Sequence, residues 1–193
     1  SEHWIQKMQD TYTDDVEIVL AKDYLLNPKW LEAKNIQVFN LCKSYAYQTK
    51  GYYVSLLAEA RGHRPFPDIS SISDFQSKDS QKVLSSNVSE TLTKTLKDIK
   101  ADEFELSVYF GRNLANKYQA LAKQIFNFYQ SPLIRAYFIR KGKEWMIKNV
   151  RPIAYREVPD NHVEFVREAL VDFFGSSRIA PKSKLKNWRY DIA

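Results

Sequence analysis

The run Phe104-Glu105-Leu106-Ser107-Val108-Tyr109-Phe110-Gly111-Arg112 constrains the fold more than any other stretch of the chain. Its apolar and polar residues alternate with a period of two. That period predicts a strand with one dry and one wet face. Phe104, Leu106, Val108 and Phe110 fall on the first face, Glu105, Ser107 and Tyr109 on the second, and Gly111 ends the run. A strand with one dry face needs both neighbouring strands and a cover, and the next residues supply each. Leu114, Tyr118, Leu121, Ala122, Ile125 and Tyr129 recur at helical spacing until Ser131-Pro132 stops them. Two strand-like runs, 133–139 and 144–155, then flank Arg140-Lys141-Gly142-Lys143. Gly142 can supply the positive φ of a tight turn, so the two runs are expected to pair antiparallel. A last helix follows, with Asn161 and Glu164 as a possible capping box, Val166, Ala169, Leu170 and Phe173 inward, and Gly175 at its end.

The N-terminal half reads less sharply. Val16–Ala21 and Asn35–Leu41 are predicted strands, the second with Ile36, Val38 and Asn40 on one face and Gln37 and Phe39 on the other. A helix follows in Gly51-Tyr52-Tyr53-Val54-Ser55-Leu56-Leu57-Ala58-Glu59-Ala60-Arg61, with Tyr53, Leu56, Leu57 and Ala60 expected inward and Gly62 as a left-handed cap. His63 to Pro67 must be extended, because Pro65 and Pro67 exclude helix, and two prolines suit an edge. Beyond a polar loop, Leu84, Val88, Leu92, Leu96 and Ile99 mark one amphipathic helix. The order predicts an α/β or α+β domain with one mixed sheet covered by helices, a C-terminal β-hairpin and a helix after it. Residues 16–175 form that single domain. Residues 1–15 read as an extension, and 176–193 as a basic linker leading to the start of a further strand at Arg189–Ala193.

With 193 residues, 44% of them hydrophobic, the chain can build one sizeable core. A lone cysteine, Cys42, rules out an intramolecular disulfide and a thiolate zinc cluster, and reads as a small buried filler in a protein of the reducing cytoplasm. No apolar run is long enough to cross a membrane. The net charge of +6 permits a polyanion partner, but acidic residues are interspersed with the basic ones. Nucleotide-binding loops and a nucleophile elbow are missing from the pattern, and the five glycines are not clustered.

The candidate sites are therefore clusters at element ends. Tyr52 sits at a helix start that could hold an anion, with Tyr45 or Tyr47 as further hydroxyl donors; packing at the rim is the plainer reading. Arg61, His63 and Arg64 crowd the Gly62 cap, where a structural role competes with anion binding. Arg112 follows a strand and a glycine, where open α/β sheets collect ligands, and could fork a carboxylate or phosphate or simply pair with an acid. On the hairpin, Arg135, Arg140, Lys141, Lys143, Lys148 and Arg151 surround Tyr137 and Trp145. Such a surface can grip single-stranded nucleic acid, although solvated charges explain it more simply.

The stretch 51–67, the run Val108-Tyr109-Phe110-Gly111-Arg112, and the order from Arg151-Pro152-Ile153-Ala154-Tyr155 to the last helix resemble the N-terminal domain of RimK-like ATP-grasp ligases. The matching positions are Tyr52, Tyr53, Glu59, Arg61, Gly62, His63, Gly111 and Arg112; Pro65-Phe66-Pro67 departs from the aliphatic strand expected after the glycine. Arg189–Ala193 resembles the first strand of an ATP-grasp module. The resemblance implies an accessory domain without catalytic residues of its own, attached to an ATP-dependent carboxylate–amine ligase. ATP and magnesium would belong to the ATP-grasp module, and the partners would be that module and a peptide or carboxylate substrate. Two other readings remain open: a nucleic-acid module built on the hairpin, and a small enzyme centred on His63 with Glu59 or Arg61.

Overall fold

A computed structural model describes residues 17–142 and 144–175. The extension, the basic linker and the strand expected at Arg189–Ala193 lie outside them. In chain order the elements are α1 (Ala21–Leu26), α2 (Lys29–Glu32), β1 (Gln37–Phe39), α3 (Lys50–Ala60), β2 (Arg64–Phe66), α4 (Ile69–Gln76), α5 (Lys78–Leu96), β3 (Glu103–Tyr109), α6 (Gln119–Tyr129), β4 (Leu133–Lys141), β5 (Glu144–Pro152) and α7 (Val163–Gly175). The fold is α/β. Its strands, expected in one mixed sheet, divide between a parallel pair β1-β2 and an antiparallel sheet of order β3-β4-β5.

The antiparallel sheet follows the alternation. Leu106 faces Ala136 across the β3–β4 ladder, and Val108 faces Ile134. Their shared face packs on Leu84, Val88, Leu92 and Leu96 of α5 and on Leu121, Ala122 and Ile125 of α6, which form one continuous core. Lys141 pairs with Glu144, so the hairpin turn is two residues long, and Gly142 stands at its first position with φ +63°. Ser77 caps α5 by accepting from the Ser80 N–H, and Asp68 caps α4 by accepting from the Ser71 N–H.

Several local expectations change, and Tyr109, expected on the wet face of β3, is fully buried. Glu17 to Leu20 form no strand, and α1 starts at Ala21. Ile18 packs against a second core that includes Leu133 and Leu170, and Val19 against a third made by Tyr24, Trp30, Val54 and Ala58, so this apolar run divides its side chains between two cores without pairing to a strand. Helix α3 buries Gly51, Val54, Ser55 and Ala58, whereas Tyr53 and Ala60 are exposed. Leu114 lies outside the core, 49% exposed, in the loop before α6. Phe110 leaves the face of Phe104 because the chain reverses there, and it joins Tyr109, Leu133 and Leu170 in the second core. Asn161 lies within a 3-10 turn, Asp160–His162, that precedes α7.

Candidate functional site

The glycine cap of α3 forms as its position demands. The His63 N–H donates to the Ala58 carbonyl and the Gly62 N–H to the Glu59 carbonyl, with Gly62 at φ +75°. This closure turns His63 inward, where it is only 4% exposed. Its Nδ1 lies 2.7 Å from the Tyr24 hydroxyl and its Nε2 lies 2.9 Å from the Ala33 carbonyl oxygen. A carbonyl only accepts, so Nε2 carries the proton and Nδ1 accepts from Tyr24. Arg61 reaches the same helix: Nη1 and Nη2 donate to the Tyr24 and Leu25 carbonyls at 2.7 and 3.0 Å, and the guanidinium stacks over the Tyr24 ring. Burial raises the Tyr24 phenol pKa, and the Arg61 contact opposes that rise. Arg61 and His63 thus converge on the N-terminal helices and fasten them to α3. Arg64 is exposed on β2, and its N–H donates to the Ile36 carbonyl.

The opposite end of the parallel pair is built differently. The Asn40 amide donates to the Gly51 carbonyl at 2.7 Å and to Ser55 Oγ at 2.9 Å, and its Oδ1 accepts from the Cys42 N–H. Ser55 in turn donates to the Pro67 carbonyl at 2.7 Å. One buried chain of polar groups therefore ties the carboxyl ends of both strands to α3. The Tyr45 hydroxyl donates to the Asn40 carbonyl, and burial pushes its pKa upward. Tyr45 is not a free donor at the helix start. The Tyr52 ring stands edge-on to Tyr47 and Tyr53, at 5.3 and 5.7 Å between centroids.

Between this loop, α4 and the end of β5 lies a cleft of about 320 Å³. Lys43, Ser44, Phe75, Gln76, Asn149 and Arg151 are among its lining residues. Arg151 donates to Glu157 Oε2 at 2.7 Å and to the Tyr137 hydroxyl at 3.2 Å. The Ala154 N–H holds the other Glu157 oxygen at 3.0 Å. These bonds, Arg151 first, hold the Glu157 carboxyl below its ordinary pKa. The Cys42 thiol, raised by burial, stays protonated near neutral pH.

Arg112 lies elsewhere. Tyr109 and Arg112 exchange backbone hydrogen bonds at 2.8 Å, with Phe110 at φ +49° and Gly111 at φ +81° between them, which is a type I′ turn. The guanidinium pairs with Asp172 and stacks on Phe165, so it fastens α7 to the end of β3. On the hairpin, Trp145 is buried and donates to the Leu96 carbonyl at 3.1 Å, which removes it as a stacking platform. Arg140 bonds Asp102 and the Ile99 and Lys100 carbonyls, Arg135 pairs with Glu105, and Lys148 with Glu103. Among the described residues no group of three or more His, Cys, Asp or Glu is placed to hold a metal ion, and no helix is long and apolar enough to cross a membrane.

The family model of the RimK-like ATP-grasp N-terminal domain matches residues 21–169. The chain belongs to that family. No curated protein and no solved structure matches it. The match spans the RimK-like N-terminal domain from α1 into α7, so it takes in the Arg-Gly-His joint, the strand-end loop and the hairpin together. In this domain the positions that carry the resemblance divide by task. Arg61, Gly62 and His63 fasten the N-terminal helices to α3, and Gly111 and Arg112 fasten α7 to the end of β3.

Sequence reasoning missed Tyr24, Asn40 and Ser55. A polar residue directly after an apolar strand, Asn40, was the one available signal. For the histidine the expected outcome is structural. Changing His63→Leu leaves the Tyr24 hydroxyl and the Ala33 carbonyl without their partner, and is expected to cost about 2 kcal/mol. Urea unfolding at unchanged slope checks it, and His63→Gln should recover part of the loss.

Proposed function

We propose that the domain is an accessory unit of an ATP-dependent carboxylate–amine ligase, one that recognises substrate or docks the ATP-grasp module and does no chemistry itself. The observation that carries this reading is the family match over residues 21–169. The geometry supports it from the other side. His63, the residue best suited to acid–base work, has both ring nitrogens occupied by Tyr24 and Ala33, and a general base must instead reach a substrate proton. Arg61 and Arg112 are likewise committed to carbonyls and to Asp172. ATP and magnesium would be bound by the ATP-grasp module.

ADP release in the presence of ATP, magnesium, a carboxylate and an amine tests the reading. The 193-residue protein alone is expected to release none above the buffer rate, and the same chain continued by an ATP-grasp module to turn over. ATP hydrolysis or amide formation by the domain alone, lost on changing His63, would establish it as an enzyme and end the accessory reading.

A further inference from the structure

The cleft beside the strand-end loop has a composition that the packing of the domain does not account for. It opens between residues 42–46 of the loop that follows β1, helix α4, and residues 149–153 with Glu157 at the end of β5. Its floor is apolar, made by Ile72, Phe75 and Ile153. Its rim carries two cations and one acid. The acid, Glu157, has both oxygens engaged by Arg151 and the Ala154 N–H. Arg151 keeps Nη1 nearly free, with only a 3.4 Å contact to the Pro152 carbonyl. Lys43 is exposed, and its ammonium has no ion pair among the described residues. The rim is therefore positive by one formal charge: Lys43 and Arg151 against Glu157.

The wall belongs to β5, an edge strand, and an edge could also accept an added strand. Pro152 argues against that, since it offers no N–H at this edge. Recognition must then come from side chains. A volume of about 320 Å³ is at the small end of ligand sites and has room for roughly one or two amino-acid residues.

We infer that this cleft binds a small amphipathic carboxylate, such as an acylated amino acid or a peptide C-terminus, with its carboxylate between Lys43 and the free edge of Arg151 and its apolar side chain on Phe75 and Ile153. The inference deepens the accessory reading, on which its meaning in ligation rests, by naming the substrate class the domain would present. The carboxylate gains charge-assisted bonds that a neutral end group cannot form. The apolar floor separates such a ligand from a simple inorganic anion.

Titration of the ¹⁵N-labelled 193-residue protein with N-acetyl-leucine near neutral pH tests the inference without ATP or amine. Saturable shifts are expected at the amides of Lys43, Gln76, Asn149 and Arg151. N-acetyl-leucinamide is expected to bind at least about tenfold more weakly, consistent with the loss of one charge-assisted pair. Lys43→Gln, an exposed change that leaves the fold intact, should weaken the carboxylate to a similar degree without shifting Tm. Equal binding of acid and amide, shifts confined to other regions, or equal shifts with inorganic phosphate would each overturn it. The readout is independent of turnover. Binding without support of ligation would sink the accessory reading alone, and ligation without binding would sink the cleft alone.

Discussion

Gly51→Ala is expected to lower stability by about 3 kcal/mol, although alanine is the better helix former by about 1 kcal/mol. A β-carbon at this position would stand 2.2 Å from the Ser44 carbonyl oxygen, 2.8 Å from Cys42 Cβ and 3.1 Å from the Tyr45 ring. The first contact is to backbone, which cannot rotate out of the way. Nor can the loop retreat freely, because Asn40 and Thr49 hold it: the Thr49 hydroxyl lies 2.9 and 2.7 Å from the Ser44 and Ala46 carbonyl oxygens and shares its one proton between them. In a domain of this size the loss corresponds to a fall in Tm of about 6–12 °C, which differential scanning calorimetry would register. A neutral or stabilised variant would mean that the loop does not sit against α3. The same change should abolish the carboxylate titration at Lys43, since it displaces the loop that carries this lysine.

The distinction between legible and illegible parts of the fold is physical. Leu84, Val88, Leu92 and Leu96 could be read directly because α5 is otherwise polar apart from the exposed Val83, so only one stripe can go inward. The β3 alternation and the Gly142 turn were equally plain, since period two and a positive φ each admit few structures. Helix α3 was harder because it is apolar nearly all round. Its large residues suggested the inward face, but the closeness of the loop makes the smallest residues, Gly51, Ser55 and Ala58, the buried ones. The run at 16–21 had the composition of a strand; composition alone does not supply a neighbouring strand to pair with.

The candidate site divides along the same line. The Arg61-Gly62-His63 joint was visible as a cluster, and its structural alternative could be weighed from the cap position alone. What the cluster touches, Tyr24 and Ala33, lies 39 and 30 residues away in sequence, and no local pattern announces contacts at that range. The cleft is less legible still. Its Lys43, Gln76 and Arg151 come from three separate elements, and each alone resembles an ordinary surface residue.

The second large effect is expected at Asn40. Replacing Asn40→Leu keeps the volume nearly constant and removes all three side-chain hydrogen bonds at once. The Cys42 N–H would lose its partner and the Gly51 carbonyl would keep only its bond within α3, whereas Ser55 keeps its bond to the Pro67 carbonyl. One N–H left unpaired costs about 1–3 kcal/mol and the two further hydrogen bonds lost about 1 kcal/mol each, so a loss of about 3 kcal/mol is expected after the gain from apolar burial. Ser55→Ala alone should cost less, because the Asn40 amide retains Gly51. The double variant decides whether the groups act as a chain: coupling of at least about 0.5 kcal/mol marks a shared network, and simple additivity denies it. Urea unfolding of all four proteins, with unchanged slopes, closes this cycle. Strong coupling would mean that the ends of β1 and β2 are positioned by one buried polar thread rather than by the apolar core alone.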